Sequence, residues 1–224
     1  MMRFPIRRLA VSVLLAVLAL TLGGCWNPFA PEEGDPVEID PPDFRDRLTP
    51  EDVLHNLETA YIWMNPGEYL DCLSEDFEFY PNELDVNDPT NPVDPIWWKP
   101  DEQEVHENMF AHDSDVGSIT LTLTIAGIVH DEGVPDDPVD DTWICTVDVD
   151  LRVNLVTGIT FLATAPSEFH MRIDIDQWGP NDELLCEINF WYDLGETSRS
   201  GGDARHDPDI ERVSLSELKS FYMQ

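Results

Sequence analysis

The chain has 224 residues, with 46 acidic and 12 basic side chains, a formal net charge of −34 and two lysines, Lys99 and Lys219. A surface this acidic repels phosphate backbones and anionic lipid headgroups, which excludes nucleic acid as a partner and electrostatic docking on membranes. Hydrophobic residues make up 42% of the chain and aromatics 10%, enough for a packed core and too much for a disordered polymer.

The N-terminus carries Arg3, Arg7 and Arg8 and no acid, then an almost unbroken apolar run over 9–22, then Gly23, Gly24 and Cys25. A basic start, a short apolar core and small residues at the end are the marks of an export signal. The run has 14 residues, short of the ~20 that a membrane-spanning helix needs. Leu22-Gly23-Gly24-Cys25 resembles the lipobox of bacterial lipoproteins. That resemblance implies cleavage after residue 24 and acylation of Cys25, with the mature chain tied to the membrane by lipid. Trp26 after the cysteine implies the outer membrane if the source is Gram-negative. Loss of three arginines takes the net charge from −34 to −37. Residues 25–47 follow as a tether rich in proline and acid, expected to be extended.

Residues 48–194 read as one domain. Thr49-Pro50 followed by Glu51 and Asp52 predicts a helix start, and Val53, Leu54, Leu57, Ala60, Tyr61 and Met64 recur at helical spacing. Asn65-Pro66 ends that helix and opens a second carrying Tyr69 and Leu70. Phe77, Phe79 and Pro81 predict a short strand and its stop. Residues 82–94 are expected to be a loop, and 101–111 a third helix with Val105, Met109 and Phe110. Four long alternating runs follow, from Ile119, Trp143, Phe169 and Leu184 onward, each predicting a strand with one apolar face. In the last, Leu184, Cys186, Ile188, Phe190, Tyr192 and Leu194 share the expected inner face. Pro166 predicts a bulge or bend. Residues 195–224 are expected to be a flexible link and a C-terminal helix started by Ser214 with Glu217 in capping-box spacing.

The order helix, helix, short strand, helix, four long strands is α+β. On this order, the paired first helices, Phe77-Glu78-Phe79, and Trp98 with Met109-Phe110, the chain resembles the NTF2-like (SnoaL-like, ketosteroid-isomerase-like) superfamily. The resemblance implies a cone: three N-terminal helices packed on a curved antiparallel sheet of four long strands plus one short strand, around a cavity. It also implies that Tyr61 is similar in place to the proton-donor tyrosine of the isomerases.

Tyr61, Tyr69, Tyr80 and Trp98 are the candidate pocket residues, with His106 and His112 also near the expected mouth. Tyr61 and His106 are the candidate catalytic pair, although no aspartate base falls on an inward strand position. His170 and Asp174 share the outer face. Trp97-Trp98 offers a platform for a sugar or partner, with core packing of at least Trp98 expected. Asp85, Asn87, Asp88, Asn91 and Asp94, and Asp131, Glu132, Asp136, Asp137, Asp140 and Asp141, are two acidic clusters offering oxygens to calcium, without EF-hand spacing. Cys72, Cys145 and Cys186 allow one disulfide with a free thiol, or three buried thiols. No cofactor is implied. The function expected first is that of a membrane-anchored envelope lipoprotein, whose domain binds a small apolar ligand, a protein partner or a second copy through the sheet face without catalysis. An isomerase- or dehydratase-type enzyme and a calcium-dependent surface module are the alternatives.

Overall fold

Thr49 is extended, and its hydroxyl accepts a hydrogen bond from the Asp52 amide at 3.2 Å, which starts helix α1, Pro50–Ile62. Val53, Leu54, Leu57, Ala60 and Tyr61 are buried on one side of it, each large side chain contributing about 1.5–3 kcal/mol. The computed structural model describes residues 41–90, 92–131, 141–179, 183–195 and 209–223. From Pro42 onward these belong to one compact unit. Arg45 and Arg47, expected in the tether, are bonded into this unit. Asn56 exchanges two 2.8 Å hydrogen bonds with the Arg45 backbone, and the Cys186 amide donates to the Arg47 carbonyl at 2.6 Å.

Asn65 caps the short helix α2, Pro66–Asp71, which leads into strand β1, Leu73–Tyr80. The stretch expected to be a loop contains a four-residue helix, α3, Glu83–Val86, because Asn82 supplies a cap to the Leu84 amide at 2.9 Å. Strand β2, Trp97–Trp98, pairs with β1 and is followed by α4, Lys99–Met109. Strands β3 (Val116–Asp131), β4 (Thr142–Leu155), β5 (Thr160–Trp178) and β6 (Leu184–Asp193) form the bulk of the sheet. Strand β7 (Ile210–Arg212) and helix α5 (Leu215–Ser220) close the chain. The Ser214 hydroxyl accepts from the Glu217 amide at 2.9 Å, as its spacing predicts.

The sheet order is β2-β1-β6-β5-β4-β3, with β7 beside β5. It is mixed rather than antiparallel throughout, since β1 runs parallel to β6 and β7 parallel to β5. The alternation holds along β4, where Cys145, Val147, Val149, Leu151 and Val153 are all buried. Pro166 makes no bulge: β5 keeps an unbroken register with β4 from Thr160 to Arg172. On the other edge of β5, β7 ends opposite Leu162 and β6 ends opposite Ser167. Pro166 falls in that gap, where a missing amide donor is tolerated.

The departure with most consequence is in β6. His170 faces Phe190 and Met171 faces Ile188, so Asn189 is an extra residue with no opposite number in β5. A bulge of one residue moves every later side chain to the other face. Phe190 and Tyr192, expected inside, turn outward, while Trp191 and Asp193 turn inward and are buried.

Gly195, two residues past the end of this strand, has φ 58°. A Cβ placed there would lie 1.4 Å from Asn82 Nδ2, so the α3 cap and a side chain compete for one space. Gly195→Ala is expected to lower stability by roughly 2–3 kcal/mol, from lost cap and backbone strain together. Urea unfolding checks this, and a midpoint unchanged from wild type would refute it.

Candidate functional site

Helix α4 places Glu102, Val105, His106 and Met109 on one buried stripe. Two of the four are titratable, on a face that packs into the core. Glu102, His106, Tyr61, Tyr69 and Lys219 are all fully buried. Lys219 comes from α5, and its ammonium donates to Glu102 Oε1 at 2.8 Å and Oε2 at 3.0 Å. The Tyr69 hydroxyl donates to Glu102 Oε2 at 2.6 Å. His106 Nδ1 lies 2.7 Å from the Glu102 carbonyl oxygen, which makes that nitrogen the protonated one. The opposite nitrogen, Nε2, then accepts from the Tyr61 hydroxyl at 2.7 Å. The imidazole also stacks on the Tyr69 ring with centroids 3.6 Å apart.

Lys219 Nζ stands 4.0 Å from the ring centre of Phe79 and 4.1 Å from that of Trp191. Desolvating an ammonium is expensive, and here one carboxylate and two aromatic faces offset it. Trp191 is available as a wall because of the extra residue at Asn189.

Burial shifts every group in the cluster. It presses the His106 imidazolium down to about 4, with Glu102 opposing and Lys219 assisting, so the ring is neutral near pH 7. Burial raises the Glu102 carboxyl, but the charges of Lys219 and His106 and the hydrogen bonds from Lys219 and Tyr69 together outweigh this and hold it below its ordinary value. Burial lowers the Lys219 ammonium, and Glu102 opposes. Burial and the nearby Glu102 charge push the hydroxyls of Tyr61 and Tyr69 well above the ordinary phenol value. The result is a carboxylate–ammonium pair and a neutral histidine, mutually satisfied and closed to water. His106 keeps a basic lone pair, but Tyr61 occupies it.

The candidate pair Tyr61 and His106 is thus brought into direct contact, with Tyr69 beside it, inside the core rather than at a mouth. Tyr80 and Trp98 are not with them. Tyr80 lies on the outer sheet face, donating to Glu78 and stacked on Tyr192 at 4.7 Å. Trp98, expected in the core, is 49% exposed while Trp97 is buried, because adjacent strand residues point to opposite faces. His112 is exposed. His170 is half-buried on the outer face and bonded to Glu168 at 2.7 Å.

Among the described residues no three His, Cys, Asp or Glu side chains are grouped to hold a metal. Asp88 caps Thr90 at 2.7 Å, and Asp85 is buried in α3. Asp136, Asp137 and Asp140 lie outside the described residues, as does Cys25. Cys72, Cys145 and Cys186 are three buried free thiols, each pushed up to about 12 chiefly by burial, which makes them inert.

Glu102, Lys219, Trp191 and Phe79 complete the cluster. The sequence carried a signal for two of them. Glu102 and Lys219 occupy apolar-stripe positions, with Val105 and Met109 on one helix and Leu215 and Leu218 on the other. A charged residue on such a stripe implies a buried partner.

An open groove of about 860 Å³ lies at the end of β1 and β6 beside α3. Tyr80, Tyr192, Leu84, Val86 and Pro95 form its apolar walls, and Glu83 and Asp193 lie along it. Burial raises the Asp193 carboxyl, which accepts from the Ser216 hydroxyl at 3.0 Å and the Gly195 amide at 3.1 Å.

No protein-family model matches the chain, and no curated protein matches it in sequence. Among solved structures it is similar to a conserved protein from Planctomyces limnophilus, at 12% identity over 64% of this chain and 90% of that one, TM-score 0.45. A hexachlorocyclohexane dehydrochlorinase (LinA) type 2 shows 11% identity over 65% and 82%, TM-score 0.44. An NTF2-like protein of unknown function in nutrient uptake from Rhodospirillum rubrum shows 14% identity over 62% and 92%, TM-score 0.40. All three likenesses lie below a TM-score of 0.5, and they assign neither a family nor an activity to this chain.

Proposed function

We propose that this chain is a lipid-anchored envelope protein whose domain is a non-catalytic binding module, recognising a basic protein partner at the groove beside α3. The observation that carries this reading is the contrast between the two polar sites. The titratable cluster in the core is closed to solvent and internally satisfied, so no substrate reaches its lone pairs. The groove is open, has stacked tyrosines and acids, and belongs to a chain with a net charge of −34. Aromatic faces and carboxylates together favour lysine and arginine side chains. Acylated Cys25 would hold the module at the membrane surface, with 25–41 as the spacer.

Leu84 is 54% exposed at the rim of the groove, which makes it a suitable place for a photo-crosslinking residue. In the full-length protein, expressed in cells that make it naturally, a discrete protein adduct is expected from position 84. The adduct should disappear in Tyr80→Ala/Tyr192→Ala without a change in melting temperature. Turnover of a small molecule that is lost in His106→Gln while the fold holds would overturn the proposal in favour of an enzyme.

A further inference from the structure

The surroundings of Lys219 have the composition of a ligand site rather than of an ordinary ion pair. Two aromatic faces stand 4.0 and 4.1 Å from the nitrogen, and a carboxylate receives it through both oxygens at 2.8 and 3.0 Å. A second acid, Asp193, adds its field from the groove side. The walls come from β1, β6 and α4, whereas the occupant comes from a six-residue helix that the chain adds after the sheet is complete. We propose that the core contains a recognition site for a primary ammonium group on an unbranched alkyl chain, and that Lys219 fills it in cis, so that α5 acts as an autoinhibitory plug. This inference is independent of the groove: it rests on the pocket around Lys219.

Lysine beyond Cβ is n-propylamine, so Lys219→Ala leaves a space of that shape. n-Propylammonium chloride added to full-length Lys219→Ala is expected to raise its melting temperature by roughly 5 °C at saturation. 1-Propanol, of similar size but neutral, and sodium chloride of equal ionic strength should each raise it far less. Lys219→Met keeps Glu102 but fills the space with a thioether, and should not respond to the amine. An equal response to amine and alcohol, or a full response in Lys219→Met, would reduce the site to an unselective cavity and overturn the assignment.

The plug is read separately in the wild-type chain by hydrogen exchange. n-Propylammonium competes with Lys219, so exchange at the amides of Leu218, Lys219 and Ser220 should accelerate several-fold with amine concentration. Amides in β4 should not change. Exchange in α5 that ignores the amine would make Lys219 a fixed internal brace and overturn the autoinhibitory role.

Discussion

Lys219→Met should destabilise the protein by about 3–5 kcal/mol, because it strips the counter-charge from a carboxylate that has no access to water. Glu102 is fully buried, and its remaining partners are the Tyr69 hydroxyl at 2.6 Å and the His106 ring. Glu102→Gln alone should cost a similar amount by leaving the ammonium between two rings without its carboxylate. The double variant Glu102→Gln/Lys219→Met removes both charges and keeps an acceptor for Tyr69. It should recover most of the loss, giving a coupling energy that is a large fraction of either single effect. Urea unfolding of the four proteins measures the cycle. Single variants within ~1 kcal/mol of wild type would show that water reaches Glu102 or Lys219.

The second large effect is a dependence on pH that belongs to His106. Its folded value is about 4 and its ordinary value 6.5. Below 6.5 the unfolded chain therefore takes up a proton that the folded chain refuses, and the balance moves toward unfolding. The stabilising contribution is complete above 6.5 and falls through the interval down to about 4, a change of roughly 3 kcal/mol. Glu102 acts with the same sign at lower pH, since its folded value is depressed and acid removes what the ion pair contributes. Glu58, Glu187 and Asp193, raised by burial, act in the opposite direction. A comparison with His106→Gln cancels those carboxylates. The stability difference between wild type and His106→Gln should shrink by about 3 kcal/mol between pH 7 and pH 4. A constant difference would mean that the imidazole titrates alike in both states.

The parts of the fold that local chemistry dictates were legible in the chain. Thr49-Pro50, Asn65-Pro66 and Ser214 with Glu217 place three helix starts through caps within three residues of the bonds they make. Long alternation places four strands, and in β4 it also gives the buried face residue by residue. What failed depends on partners distant in sequence. Asn189 becomes a bulge only against β5, and the hint of it in the run from Leu184 to Leu194 is Trp191, an apolar ring at a position the alternation reserves for polar side chains. Trp98 faces outward and Trp97 inward because pairing with β1, not side-chain size, decides which ring enters the core. Residue type marks Tyr61 and His106 as candidates, but their contact needs α1 and α4 brought together in the fold. Lys219 stands on the same helix face as Leu215 and Leu218 in a chain with one other lysine, and nothing near it in sequence names its partner. Its partner lies 117 positions away.

The unpaired Asn189 gives the protein two properties from one cause. By rotating the end of β6 through half a turn, it delivers an indole to the wall around the buried ammonium and a phenol to the outer stack with Tyr80. Lineages that gain or lose this residue would exchange both features in a single step. The hidden cation and the outward-facing tyrosine pair should therefore be inherited together or lost together.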